Sequence, residues 1–409
     1  MRTRRWFLRT SGLAVGALGT PHAWIKPATA QGAPSRKVLV AVLQRGAADG
    51  LNIVIPFAEK RYYQLRPGIG IQIAAQPGVG GAIDLDGKFA FHQALQALRP
   101  LWDAKQLAII HAVGSPHSSR SHADAQAYME SGMADTRTPD GWLNRALARP
   151  SENSSPLRGV AVGATLPLAL RGDRSTVAVD DLAKFQTIGE AYPIMERLYA
   201  RAGDARLKSN GAAMFDAVKK IDAIRQQPVT PLPPAPNGVN GGFYQGDFGR
   251  RLQQLARMIK SDVGVEVAFV DIDGWDHHAN ENGQLGNILN QFSASLAAFT
   301  RDLGDRMADV VIVTMSEFGR TAAENGNAGT DHGHGGVMMV MGGPVRGGSI
   351  YGQWPGLEQE QLFEGRDLAV TTDYRDVLSE LVRVHLGQNP QQVFPGHKAG
   401  APLGLLRTA

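Results

Sequence analysis

The chain has no cysteine, which excludes disulfides, thiolate metal sites and any chemistry that begins from a thiol. It also lacks a long apolar run. The weakly apolar stretch near its start, Ser11 to Gly19, is rich in Gly and Ala. That is about half of the ~20 residues a spanning helix needs, and no later segment supplies one. Acid is absent from the first thirty residues, which hold Arg2, Arg4, Arg5, Arg9 and Lys26. Taking those five cations from the formal net charge of +4 leaves the rest of the chain at −1. The basic balance belongs to the leader, and it gives no reason to expect nucleic acid or anionic lipid as a partner.

What is present at the start is specific. Thr3-Arg4-Arg5-Trp6-Phe7-Leu8-Arg9 sets a paired arginine before bulky apolar residues, the look of a twin-arginine signal. Ala28-Thr29-Ala30 supplies a small-x-small cleavage site. Residues 1–30 are therefore expected to be a removable signal peptide, with an uncleaved anchor as the alternative. The expected location is periplasmic or secreted in a bacterium, with the twin-arginine translocase as partner during export. A cysteine-free chain can finish folding before it leaves the cytoplasm, which suits cargo that takes up a metal inside.

The remaining chain reads as one large α/β domain over 36–409. Lys37–Leu43, Leu107–Val113, Val265–Val270 and Val310–Thr314 are continuous β-rich runs, with Val337–Met341 as a weaker fifth. Continuous rather than alternating runs are what a parallel sheet covered on both faces requires. Helical spacing separates them: Phe248, Leu252, Leu255 and Ile259 form one stripe, and Leu285, Ile288, Leu289, Phe292, Leu296, Phe299 and Leu303 form another. Val377, Leu381, Val384 and His385 mark a late helix ending near Gly387. This order predicts a doubly wound, mainly parallel sheet with helices on both faces. Residues 150–245 show little strand pattern, and Gln227–Gly242 (QPVTPLPPAPNGVNGG) is Pro/Gly-rich. This stretch is expected to be an insertion or lid.

Ligands in open α/β sheets bind beyond the carboxyl ends of the strands, and the polar clusters fall there. Gln44–Asn52 follows the first strand and Pro116–His122 the second. Asp271–His278 follows the third, while Ser316–Arg320 and Thr330–Gly335 follow the fourth. Taken singly, Asp49-Gly50 is a turn and Ser121 a helix cap, with Asp124 three residues on as a short capping-box carboxylate. Together they hold six of the eleven histidines. Imidazole beside carboxylate points to a divalent metal, with zinc or manganese favoured over calcium.

The segments RGAADGLN, RSHADAQAYMESG, DIDGWDHH, TMSEFGRT and GTDHGHGG resemble those of the exported bacterial proteins grouped as domain of unknown function 1501. That family is in turn similar to the alkaline phosphatase-like superfamily of phosphatases, phosphomutases and sulfatases. The resemblance implies an alkaline phosphatase-like fold and a metal set drawn from Asp49, Asp273, His277, Glu317, His332 and His334. It implies Ser121 as nucleophile, with Ser119 as second choice. Phe318 stands where the superfamily pattern has a ligating histidine, which implies one metal or an altered pair. The sulfatase branch fits less well, because there is neither a cysteine nor a Ser-x-Pro-x-Arg at Ser115-Pro116.

The activity implied is hydrolysis of a phosphate or sulfate ester, on a small molecule or on a polymer. Ser121 attacks in line, and Arg120 or Arg45 adds charge at the oxyanion. Two other classes stay open: a noncatalytic exported metal- or ligand-binding protein, and a surface-assembly component.

Overall fold

The computed structural model describes residues 37–74, 80–149, 154–182, 191–235 and 242–407, with short segments at 16–17 and 188–189. Apart from 16–17, the signal peptide expected over 1–30 lies outside the described residues, as does the linker core at 236–241.

Nine strands form the central sheet: β1 Val38–Arg45, β2 Leu107–Gly114, β3 Gly159–Val162, β4 Thr176–Val179, β5 Val267–Asp273, β6 Val310–Met315, β7 Gly336–Gly342, β8 Ser349–Tyr351 and β9 Thr372–Asp373. Their order is β8–β2–β7–β6–β1–β5–β3–β4, with β9 also paired to β2. All pairs are parallel except those of β7, which runs antiparallel to both β6 and β2. The protein is a mixed α/β fold with a mostly parallel central sheet, as the continuous apolar runs predict.

Alternation along β1 explains the layering. Val38, Val40 and Val42 enter one buried cluster, while Leu39, Ala41 and Leu43 enter the other. Both faces of the sheet are therefore dry, each under its own helices. The main helices are α1 His122–Ser131, α2 Ala191–Ala200, α3 Ala205–Gln226, α4 Gly246–Lys260, α5 Glu281–Leu303 and α6 Tyr374–Glu380. The two predicted stripes are the buried faces of α4 and α5. The late helix runs on from α6 through a wide π turn at Leu381–His385 and stops before Gly387 at φ +66°.

The stretch 150–245 is not wholly outside the sheet. It contributes the last two strands at one end of the sheet, β3 and the edge strand β4, before its helices α2 and α3 begin. Four-residue strands are too short to show a period, which is why the sequence reading missed them.

Register places the carboxyl ends together. Asp273 at the end of β5 is level with Arg45 at the end of β1, and Met315 of β6 is level with Leu43. The antiparallel β7 starts on this side, with Gly336 opposite Val113 of β2. Loops leaving β1, β2, β5 and β6 and the one entering β7 meet at a single mouth.

Candidate metal centre

The mouth is built by close backbone approach. Gly46, at φ +121°, leaves β1 against the loop that follows β5, and a Cβ there would stand 2.7 Å from the Asp276 nitrogen. Only glycine lets that loop settle. Gly274, at φ +100°, turns the chain after β5. Side chains then alternate: Trp275 and His277 go into the protein, whereas Asp276 and His278 face the mouth. Trp275 is fully buried, donates Nε1–H to the Ile272 carbonyl at 3.0 Å and meets Phe292 of α5 edge-on.

Three imidazoles converge on Asp276. His278 Nε2 lies 3.0 Å and His332 Nε2 3.2 Å from its Oδ1, and His122 Nε2 lies 3.5 Å from its Oδ2. His332 Nε2 is also 3.1 Å from both other Nε2 atoms. One ring nitrogen cannot hydrogen-bond to all three neighbours. The opposite nitrogens explain the arrangement. Each Nδ1 is held by an acceptor: Glu317 Oε1 at 2.8 Å for His122, the Arg120 carbonyl at 3.0 Å for His332, and Asp331 Oδ1 at 3.1 Å for His278. The Arg120 carbonyl can only accept, so His332 carries its hydrogen on Nδ1 and presents the Nε2 lone pair. The same holds for neutral His122 and His278. Nitrogens so oriented are what a metal-ligating histidine requires. Among the described residues, His122, Asp276 and His332 form the one group of such donors whose ligand atoms all lie within 4.8 Å of one another.

Charge supports the set from below. Glu317 is fully buried, which by itself raises its pKa. Hydrogen bonds from His122, Gln126 and the Gly46 amide outweigh burial and bring it below the ordinary range. In return, the Glu317 bond raises the His122 pKa. Burial likewise opposes the charge on Asp276, but the fully buried Arg320 guanidinium, 2.7 Å away, holds that carboxyl below its usual value. Phe318 occupies the expected histidine position. Its ring centroid is 5.0 Å from those of both His122 and His332, so it floors the site by packing.

The residues expected from sequence divide. Glu317 and His332 stand at this group, Glu317 as the partner of His122. The others do not join it. Asp49 is buried in an ion pair with Arg66, with 3.0 Å between Oδ1 and one guanidinium nitrogen, beside Asn52 and Glu281. Burial and the Asp49 charge push the Glu281 carboxyl well above its ordinary pKa, while Arg66 outweighs burial and holds Asp49 below its own. His277 points inward, is 3% exposed, and its Nδ1 has no partner among the described residues. Asp273 ends β5 exposed, before the turn at Gly274, and its carboxylate makes no hydrogen bond or ion pair among the described residues. His334 stacks on Phe363, with centroids 4.3 Å apart, and burial lowers its pKa.

Ser121 precedes α1 without making a side-chain cap bond, its amide donates to the Ser119 hydroxyl at 3.2 Å, and Asp124 of the first turn pairs with Arg137. Arg120 is committed to Asp367 at 2.6 Å and Glu364 at 2.7 Å. Arg45 is committed to Glu130 and Asp271. Sequence reasoning missed His122, Asp276, His278 and Arg320 as site residues. All four lie in the motif segments, and a strict inward–outward alternation after Gly274 was the available signal.

Fold and site define a layered α/β protein with an imidazole–carboxylate centre at the carboxyl edge of its sheet. The chain belongs to the family described as protein of unknown function (DUF1501), whose model matches residues 138–393. Among solved structures it is similar to the C-terminal periplasmic domain of EptC from Escherichia coli in complex with zinc. That match has 8% identity and a TM-score of 0.32, and covers 76% of this chain and 74% of that one. It is also similar to alkaline phosphatase from the Antarctic bacterium TAB5, at 11% identity and a TM-score of 0.31, covering 77% of this chain and 94% of that one. At such scores neither likeness assigns a residue or an activity here. No curated protein matches the chain. Among the described residues no helix is long and apolar enough to cross a membrane.

Proposed function

We propose that the protein is an exported metal-dependent hydrolase of phosphate or sulfate esters whose cation is held by His122, Asp276 and His332. The observation that carries this is the orientation of three imidazoles by acceptors at Nδ1 so that their Nε2 atoms converge on one carboxylate. The donor set fits zinc or manganese, two or three nitrogens with one oxygen. A divalent cation there supplies Lewis acidity toward an ester oxygen and lowers the pKa of water.

The protein's own contribution is support. Glu317 and the Arg120 carbonyl fix two rings, Arg320 keeps Asp276 ionised, and Phe318 sets the ring planes apart. The side chains of His122, Asp276 and His332 are 31%, 44% and 25% exposed, which leaves an approach for substrate. In this reading water is the nucleophile. Twin-arginine export to the periplasm, and a lid role for the helical part of 150–245, belong to the same proposal.

The test is metal analysis of protein purified without chelators, followed by assay against aryl phosphate monoesters, diesters and sulfates. About one bound metal per chain is expected, with turnover lost together with the metal in His332→Ala. A metal-free native protein would sink the reading. A second reading, a noncatalytic metal-binding protein, is favoured by one observation: Arg45, Arg120 and Arg320 are all committed to carboxylates, so none is free to clamp an oxyanion. Stoichiometric metal without turnover on any ester would select it.

A further inference from the structure

A wide cleft lies away from the metal-centre residues. It has a volume of about 1100 Å³ and runs between the short helical turn Gln93–Leu98 and α5. None of the fifteen described residues lining it is charged, although a fifth of the chain is and soluble proteins average about a quarter. Carboxamides stand there instead. Gln96, Gln245, Asn282, Asn287 and Asn290 are exposed, and their side chains make no hydrogen bond among the described residues. Each amide group offers two donors and an acceptor. Glycines and alanines make the floor shallow, and Phe243, 69% exposed, presents an unpaired aromatic face at the edge.

We propose that this cleft binds a neutral saccharide. Sugars present paired hydroxyls that both donate and accept, which carboxamides match and charged side chains overbind. Their C–H faces pack on an aromatic ring, and Phe243 supplies one in the open. A phosphorylated or nucleic-acid ligand requires cations, and the lining has none among the described residues. A peptide strand requires a free sheet edge or deep apolar pockets, whereas helical elements and small residues form these walls. The site does not depend on the metal centre.

The experiment titrates the full chain with neutral hexasaccharides, cellohexaose, maltohexaose and the N-acetylglucosamine hexamer, and with a neutral Gly/Ser decapeptide. At least one saccharide is expected to bind. Phe243→Ala and Asn287→Ala, both at exposed positions that spare the core, should each weaken binding by about tenfold or more. Binding should be the same at low and high salt, because no charge pair is made, and unchanged in His332→Ala. Failure of all three saccharides to bind, retention of binding in both variants, or binding of the decapeptide in their place would overturn the proposal.

Discussion

His122 Nδ1 lies 2.8 Å from Glu317 Oε1, an oxygen that also accepts from Gln126 and from the Gly46 amide. The bond ties the first turn of α1 to the loop after β6 and leaves His122 Nε2 facing Asp276. Glu317→Gln keeps the shape and removes the charge. It should weaken divalent-metal affinity by about 10–100-fold with stoichiometry unchanged. Competition against a chromophoric chelator measures this, and loss of the metal altogether would make Glu317 a ligand.

Ser121→Ala separates water from serine as nucleophile. Because its hydroxyl makes no cap bond to the helix, stability should change by less than about 0.5 kcal/mol. Ester turnover should stay within about tenfold of the parent, whereas removal of a true nucleophile costs many orders of magnitude. A fall of that size in initial rates would restore Ser121 to the role the family resemblance implies.

Asp49 is a structural anion here. Asp49→Asn leaves the buried Arg66 guanidinium without its full counter-charge, and breaking such a pair costs about 3–5 kcal/mol. Denaturant unfolding should show a loss of that order, with metal content retained in the folded fraction. Retained stability with lost metal would instead place Asp49 among the ligands.

His111 and His385 are buried neutral, with pKa values pushed down by burial to about 4. His111 donates Nε2–H to the Val54 carbonyl and accepts the Ala112 amide at Nδ1, so an added proton has no acceptor. The unfolded chain takes up these protons near the ordinary value of 6.5 and the folded one does not. Their stability contribution is therefore present above pH 6.5 and is lost as pH falls from there toward 4. The loss amounts to roughly 3 kcal/mol per group. Chemical unfolding from pH 7 to 4 should show this decline, and His111→Gln should flatten it by about one proton. An unchanged slope in the variant would clear His111 of the effect.

Export should depend on the arginine pair and not on its charge. Arg4→Lys with Arg5→Lys should strand folded precursor in the cytoplasm, because a receptor reads the pair. Fractionation of cells checks it, and normal export of the double variant would assign the leader to another route.

Much of this protein is local in origin. The runs at Val38–Leu43, Leu107–Ile110, Val267–Val270 and Val310–Val313 are apolar throughout, so they had to be strands buried on both faces. The stripe from Leu285 to Leu303 had to be a helix against them. Register then follows, and with it the mouth where every motif segment ends. Sequence could not say which way β7 runs, because an apolar run carries no sign of direction. Nor could it show that β3 and β4 extend the sheet, since four residues hold no period. Above all it left open which members of Asp271–His278 face the mouth. The left-handed turn at Gly274 and the burial of Trp275 beneath α5 decide that. Once the indole is committed to the core, alternation sends His277 inward with it and turns Asp276 and His278 out toward His332. Ligands are chosen by where side chains point, and that is settled only when distant elements compete for the same interior space.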